Sequence, residues 1–492
     1  MPQNLAGRLR SGARWSGAEI VVNLPLRIAT LAILARLLVP AEFGVFAAAV
    51  TIIEFARPLS ALSIDHAIVQ SKKLAPQSIA VASLLGLTLS SAVACLIALN
   101  ARQVLLLYDD PEVPGVLTAL APSLPAAAAA SLLLAILRRR LAFRELSIVV
   151  MISSALAAVA SVGVALVGGG VWALVAGYYL DFVLRIALSW RQVRPRLHRP
   201  RFGDEVRGLL RFGMGTSLSH SLNFWALHGD YVVIGSVLGP KPLGYYSRAY
   251  QLVSTVPGML GRVQNMVLFP AFARAQSDRE YLGRALRVGT EATAALTLPL
   301  CAWGLVLGPE LIQTLLGPGW EDAIVPFQIL ALGVFFRTAY RFASSIIMAT
   351  GHVFAMSVCQ AVYAVLVVLG AIIGSQWGIA GVAAATLAAL LVFCLLLYGL
   401  AARVSGLSIR SLASAFVRPT LVFLVVLATS ALSRSLLVGF GWAPWAIMLS
   451  AVCFGLAALI ALTVVLRNRL WGDFLYEQVA GFQASRKNDG SF

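Results

Sequence analysis

The sequence predicts an all-α polytopic membrane protein with about fourteen transmembrane helices. Three observations predict it. Spans of roughly 20 apolar residues recur along the 492-residue chain, each long enough to cross a hydrocarbon core. Hydrophobic residues make up 59% of the chain and charged residues only 12%, with a mean hydropathy of +0.85, far from the composition of soluble domains. The net charge of +17 gathers in short loops between the spans. A basic balance of this size can signal nucleic acid, but no zinc-finger, RNP-like or phosphate-loop pattern accompanies it. In juxtamembrane loops it satisfies the positive-inside rule and meets anionic lipid instead.

The expected spans are 15–38, 44–66, 79–99, 115–137, 146–167, 171–190, 212–238, 244–270, 288–308, 322–348, 353–374, 379–401, 417–438 and 445–466. Arg8, Arg10 and Arg14 precede the first span in the manner of a signal-peptide n-region. That span runs long, carries Arg27 and lacks a small-residue cleavage site in the expected place, so it is expected to stay as a helix. The odd-numbered loops carry few basic residues, among them Arg102, Lys241 and Arg434. The even-numbered loops and the two tails carry far more, including Lys72, Lys73, Arg138, Arg139, Arg140, Arg191, Arg194, Arg196, Arg199 and Arg201. This asymmetry places both termini in the cytoplasm. The five cysteines, Cys95, Cys301, Cys359, Cys394 and Cys453, fall far apart within apolar spans and read as small packing residues.

A faint repeat organises the chain. Pro40-Ala41-Glu42-Phe43-Gly44 closes the first hairpin, and Pro240-Lys241-Pro242-Leu243-Gly244 closes the one between the seventh and eighth spans. Gly168-Gly169-Gly170 before the sixth span is echoed by Trp377-Gly378-Ile379-Ala380-Gly381 before the twelfth. The expected domains are an N-terminal lobe over 1–190, a basic cytoplasmic linker over 191–211, and a C-terminal lobe over 212–401. Two appended helices over 402–466 and a cytoplasmic tail over 467–492 complete the chain. Six spans per lobe give both lobes one orientation, related by a pseudo-two-fold axis along the membrane normal.

Charges within the spans point to the site. An arginine at mid-span costs about 2.5–3.5 kcal/mol on insertion scales, so one retained there needs a partner helix, water or a ligand. Arg27, Arg57, Arg248, Arg262, Arg337 and Arg341 are retained there. Glu19, Asn23 and Arg27 share one face of the first span. Glu54, Arg57, Ala61 and Asp65 fall on one stripe of the second, where Glu54 and Arg57 can pair. Asn223 and Asp230 are nearly in phase on the seventh, Arg248 and Arg262 on the eighth, and Arg337 and Arg341 share a face of the tenth. The group is expected to line a wet cavity that holds an anion, with Asn223 beside it. Asp230, Glu54 and Asp65 would balance the charge or carry protons. Asp181–Arg185 reads as a local neutralising pair. His220 and His228 lack metal-ligand spacing and read as packing residues. No catalytic pattern, cofactor or metal site is expected, and no loop is large enough to hold a soluble catalytic domain.

Two stretches resemble a known family. Ala35-Arg36-Leu37-Leu38-Val39-Pro40-Ala41-Glu42-Phe43-Gly44 is similar to the signature after the first helix of bacterial polysaccharide flippases. Residues 229–272 resemble the family's most recognisable block, with Asp230, the Gly-Pro turn, Gly244-Tyr245-Tyr246, Arg248-Ala249-Tyr250 and Leu268-Phe269-Pro270-Ala271. The family is the Wzx-like polysaccharide transporters of the multidrug/oligosaccharidyl-lipid/polysaccharide exporter superfamily. The resemblance implies a V-shaped, two-lobed bundle in the bacterial inner membrane that flips an undecaprenyl-diphosphate-linked oligosaccharide by alternating access. It implies that Arg27, Arg57, Asp230, Arg248 and Arg262 lie in cavity-lining helices; Arg337 and Arg341 extend that set by helical phase. Membrane lipids are the other expected partners, together with a glycan polymerase and glycosyltransferases of the same pathway. Two alternatives stay open: a peptidoglycan lipid-precursor flippase, and a membrane glycan polymerase or ligase. A drug exporter would want acidic cavity walls.

Overall fold

A computed structural model describes residues 3–70, 76–194 and 204–465, and among them every regular element is helical. The helices run α1 (Gln3–Leu37), α2 (Pro40–Ala61), α3 (Ile64–Gln70), α4 (Pro76–Leu99), α5 (Glu112–Leu120), α6 (Ser123–Arg139), α7 (Phe143–Leu166) and α8 (Val171–Val193). They continue as α9 (Asp204–Val233), α10 (Pro240–Arg274), α11 (Arg279–Val306), α12 (Gly308–Leu315), α13 (Ile324–Ala349), α14 (Val353–Gly374), α15 (Gly378–Ser405), α16 (Ile409–Gly439) and α17 (Pro444–Val465). All but α3, α5 and α12 are long, which leaves fourteen long helices among the described residues and agrees with the expected span number. Among the described residues, ten helical stretches are apolar and long enough to cross a membrane, one of them (Val353–Ser405) containing both α14 and α15. The bent pair α11 and α12, turned by 78° at Leu307, would make an eleventh. Helices are the form in which a lone segment satisfies its own backbone in hydrocarbon, so the apolar composition and the all-α fold have one cause.

Two expected boundaries move. The second span was expected to reach residue 66, but α2 stops at Ala61. Leu62 and Ser63 both take left-handed backbone conformations, with φ of 48° and 42°, at a cost of about 1–2 kcal/mol each. Packing offsets that cost: Ile64, Ala67 and Ile68 of α3 are buried with Ala82, Leu132 and Ala135. The turn takes Asp65 off the stripe that carries Glu54 and Arg57, so the expected four-residue face is wrong at its last member. The fourth span is likewise two helices, α5 and α6, joined at Ala121–Pro122 within the apolar stretch Glu112–Arg139. Of the linker, residues 195–203 lie outside the described residues, as do Lys72, Lys73 and the tail 467–492.

The chain forms two compact units. One comprises Met1–Arg248, Leu315–Trp320 and Ala364–Val382; the other comprises Ala249–Thr314, Glu321–Tyr363 and Ala383–Phe492.

In the first unit, the repeat sequences explain themselves. Gly44, one turn into α2, sits so close to the Pro240 carbonyl that an added Cβ would overlap it. Gly244, one turn into α10, makes the same approach to the Pro40 carbonyl. The contact is reciprocal, and the Pro-x-x-x-Gly spacing is what permits it. Proline starts each helix without an orphan N–H, and glycine one turn later lets the backbones meet. Phe43, Tyr245 and Trp320 pack around this crossing, Trp320 edge-on to both rings with centroids 5.4 and 5.8 Å away. The Trp320 indole N–H donates to the Ala35 carbonyl at 2.9 Å, satisfying an acceptor in the last turn of α1. Glu42 accepts from the Val39 amide at 2.8 Å, closing the start of α2. The expected glycine turns are present: Gly168, Gly170 and Gly378 have φ of 79°, 53° and 67°.

In the second unit, α11 packs on α13 and α16, and α16 on α17. The buried Tyr398 hydroxyl contacts Thr290 Oγ1 at 2.9 Å and donates to the Ala339 carbonyl at 3.1 Å, tying three helices together. Glu310 of α12 is buried and takes a 2.6 Å charge-assisted bond from Arg434 Nε of α16. All five cysteines are free thiols.

Replacing Gly44 by Ala forces a methyl group onto a backbone carbonyl that cannot rotate away. We expect a loss of about 1–3 kcal/mol or more, with a clear fall in the thermal midpoint of the purified protein in detergent. Gly239→Ala is the contrasting variant: its site is open, so any loss there comes only from a positive φ of 92°.

Candidate functional site

The first unit holds two charged stations. On α2, Arg57 and Glu54 form the expected pair, with Nη2 2.6 Å from Oε1. The Tyr178 hydroxyl of α8 joins them, accepting from Arg57 Nη2 and donating to Glu54 Oε1 at 3.0 Å. Phe182, one turn on from Tyr178, lies under the Arg57 guanidinium with its centroid 5.3 Å away. Both charged side chains are only about a third exposed, so the tyrosine tip and the aromatic face supply solvation that lipid would not. Asp181 and Arg185 of the same helix form the local pair expected of them, at 2.8 Å.

The second station lies at the crossing of α2 and α10. Asp230 of α9 is buried, at 1% exposure, and accepts from the Tyr246 hydroxyl at 2.6 Å and from the Tyr231 amide at 2.9 Å. Two residues beyond Tyr246, the Arg248 guanidinium stacks over the Phe43 ring, 4.9 Å from its centroid. One ring thus belongs to both the structural crossing and the cation: Phe43 packs against Trp320 and carries Arg248 over its ring. His228 packs on Phe224 and Tyr231, each 5.2 Å away between centroids, in the packing role expected for it.

The second unit holds another pair of cations on one helix. Arg337 of α13 is 8% exposed and donates from Nη1 to the Tyr250 hydroxyl of α10 at 2.6 Å, with its guanidinium 4.4 Å above that ring. Arg341, one turn on, lies flat against α10 at Gly261, where any side chain would collide with it. Its Nε has no hydrogen-bond partner among the described residues.

Arg27 and Asn223 lie on exposed faces of α1 and α9. Asn23 is buried on α1, and its side-chain oxygen has no hydrogen-bond partner among the described residues. The side chain of Arg262 lies outside the described residues. Asp65 of α3 pairs with His66 at 3.2 Å, beyond the end of the α2 span, and His66 meets the His220 ring edge-on.

Sequence reasoning missed Phe43, Tyr178, Phe182, Tyr246 and Tyr250 as site residues. Their common signal is an aromatic, most often a tyrosine, within an apolar span. A phenol in hydrocarbon needs a partner for its hydroxyl, so it marks a polar group on a neighbouring helix.

Helices of this number and length, carrying stacked guanidinium groups within them, define a multi-pass membrane protein. The chain belongs to the family described as "Polysaccharide biosynthesis protein", whose model matches residues 33–326. It is 28% identical over 321 residues to the succinoglycan biosynthesis transport protein ExoT of Rhizobium meliloti, covering 65% of this chain and 64% of that protein. It is 23% identical over 350 residues to the lipopolysaccharide biosynthesis protein WzxC of Escherichia coli, covering 70% of each. The match to ExoT therefore spans just under two-thirds of that relative's length. Among solved structures the fold resembles lipid II flippase MurJ in an inward closed conformation, with a TM-score of 0.72 over 93% of this chain and 99% of that one at 13% identity. It also resembles an inward-facing multidrug resistance transporter of the MATE family, with a TM-score of 0.59 over 78% of this chain and 95% of that one at 14% identity.

Two outcomes test these contacts. Tyr178→Phe removes a group that bonds both members of a half-buried ion pair. We expect about 1–3 kcal/mol of destabilisation by thermal unfolding, where an unchanged midpoint would mean that water replaces the phenol. The second concerns Asp65 and His66. Burial raises the Asp65 carboxyl, but the hydrogen bond and charge of His66, with Arg138, outweigh it and hold the group below its ordinary 3.8. The hydrogen bond to Asp65 raises His66 above its ordinary 6.5. The lowered acid contributes stability above 3.8 that fades as pH falls; the raised base contributes stability below 6.5 that fades as pH rises. Wild type should therefore exceed Asp65→Asn in thermal stability most between pH 3.8 and 6.5, and the gap should narrow on both sides.

Proposed function

We propose that this protein is a flippase that moves undecaprenyl-diphosphate-linked oligosaccharide repeat units from the cytoplasmic to the periplasmic leaflet of the bacterial inner membrane, for exopolysaccharide or lipopolysaccharide synthesis. It acts as a transporter and not as an enzyme. The carrying observation is family membership combined with guanidinium groups built into membrane helices on aromatic supports. The relative ExoT is named as a transport protein, and WzxC as a lipopolysaccharide biosynthesis protein, which supports the substrate class.

The chemistry suits a lipid diphosphate. Such a head group is a compact anion that hydrocarbon excludes, and a guanidinium presents planar, bidentate donors to phosphate. Arg248 rests on a π face, which offers electrostatic support without consuming the fork; Arg337 rests on the Tyr250 ring and spends one arm of its fork on that tyrosine's hydroxyl. Arg27, Arg57, Arg262, Arg341 and Asn223 complete the proposed binding set. Asp230, Glu54 and Asp65 balance its charge, with Asp230 held by Tyr246. Alternating access between lobes 1–190 and 212–401 exposes the site to each leaflet in turn, with 402–466 appended, and both termini lie in the cytoplasm. Pathway glycosyltransferases and a polymerase supply and consume the repeat unit.

The test is the leaflet distribution of the lipid-linked oligosaccharide in the host, with this gene deleted and then restored. Wild type should clear a cytoplasmic-leaflet accumulation. Arg248→Glu should insert normally and clear none of it, and Arg248→Lys should clear it slowly, because a point charge lacks the bidentate fork. Clearance by Arg248→Glu at the wild-type rate would remove that arginine from the site. Repeat units that reach the periplasm without the gene but stay unpolymerised would replace the transport reading with the polymerase one.

A further inference from the structure

The second unit contains a cavity unrelated to the buried cations. It measures about 470 Å³ and is walled by the first turns of α11, the 405–407 turn after α15, and the first turns of α16. Three helix ends meet there at the same end of the unit, the end that the basic loops assign to the cytoplasm. Four arginines line it, Arg279, Arg284, Arg287 and Arg418, against two acids, Glu280 and Glu291.

The pairing leaves an excess of charge in a specific place. Arg284 bonds Glu280 at 2.8 Å, and Arg418 reaches Glu291 at 3.6 Å. Arg279 and Arg287 have no ion-pair or hydrogen-bond partner among the described residues. They are eight residues apart on one helix, which sets them on one face about 12 Å apart along the axis. Midway between them on that face stands Gly283, also in the cavity wall. Gly283 is buried there, so a side chain at this position would press on the facing wall. The opposite wall comes within 3.4 Å of the position a Gly283 Cβ would take, through the Ser405 carbonyl. Gly406, at φ 71°, turns the chain so that this wall can form. Val288, one turn beyond Arg284, and Leu407 give the cavity an apolar edge.

We propose that this cavity binds the phosphate of an anionic membrane phospholipid, held between Arg279 and Arg287. Two unpaired guanidinium groups fit a phosphodiester, and the apolar edge fits the glycerol and upper acyl carbons that accompany it. A free phosphate would gain nothing from Val288 and Leu407. The inference requires only that the protein sits in a membrane, and it stands whether or not the transported lipid is the one proposed above.

The experiment is native mass spectrometry of the purified full-length protein, titrated with phosphatidylglycerol, phosphatidylcholine, undecaprenyl diphosphate or inorganic pyrophosphate. Wild type should bind phosphatidylglycerol in preference to phosphatidylcholine, and Arg279→Gln/Arg287→Gln should lower that binding about tenfold or more. Gly283→Leu keeps every charge and forces the 405–407 wall away from α11, so it too should lose the bound lipid. Arg274→Gln, at the end of α10, should not. Equal phosphatidylglycerol binding by wild type and both cavity variants would overturn the proposal. So would pyrophosphate binding as tight as the phospholipid's, which would make the site one for soluble phosphate. Undecaprenyl diphosphate binding wild type more tightly than phosphatidylglycerol, and losing that binding in the cavity variants, would overturn it in favour of a substrate-entry site. Transport by the variants is a separate readout, so failure here leaves the flippase reading untouched.

Discussion

A guanidinium group within a bilayer has to be solvated by the protein that carries it. Lipid offers no hydrogen bonds, and the cost of leaving the charge bare exceeds what any single apolar contact returns. The structure meets this constraint repeatedly in one way, by laying a guanidinium beside an aromatic ring. Arg57 has Phe182 and Tyr178, Arg248 has Phe43, and Arg337 has Tyr250. Much of the helix packing around these residues follows, because each ring must come from a helix that lies within stacking distance. A cation–π contact stabilises the charge without itself consuming an N–H donor, whereas Arg57 also spends Nη2 on Glu54 and Tyr178, and Arg337 spends Nη1 on Tyr250.

The same aromatic logic ties the site to the scaffold. Phe43 is one residue before Gly44, where α2 meets α10 backbone to backbone, and it carries Arg248 on its face. Tyr245 and Tyr246 flank the matching Gly244; the first packs on Trp320 and the second holds Asp230. A change that separated the two helix starts would therefore disturb both the ring that carries Arg248 and the tyrosine that holds Asp230. The Pro-x-x-x-Gly repeat is thus both a packing device and the register mark that places charged residues.

What could be read from the chain in advance was whatever depends on near neighbours. Glu54 and Arg57 are three residues apart on a helix, and Asp181 and Arg185 four, so their pairing needed only helical periodicity. Span number, the glycine turns and the two repeat motifs were visible for the same reason. Asp65 was misplaced because two left-handed residues, Leu62 and Ser63, interrupt the periodicity, and neither is glycine. Nothing local marks that break. It is held by the burial of Ile64 and Ile68 against helices further along the chain.

The sequence by itself determined the solvent of this protein, the number and type of its elements and, by resemblance, its family. Hydrophobicity and the need to satisfy backbone polar groups in hydrocarbon act along the chain, residue by residue. Only the tertiary structure decided what each buried charge touches. Arg337 finds Tyr250 across 87 residues, Arg57 finds Tyr178 across 121, and Trp320 reaches Ala35 across 285. Such contacts are set by which helix faces pack together, and periodicity fixes a face without naming its partner.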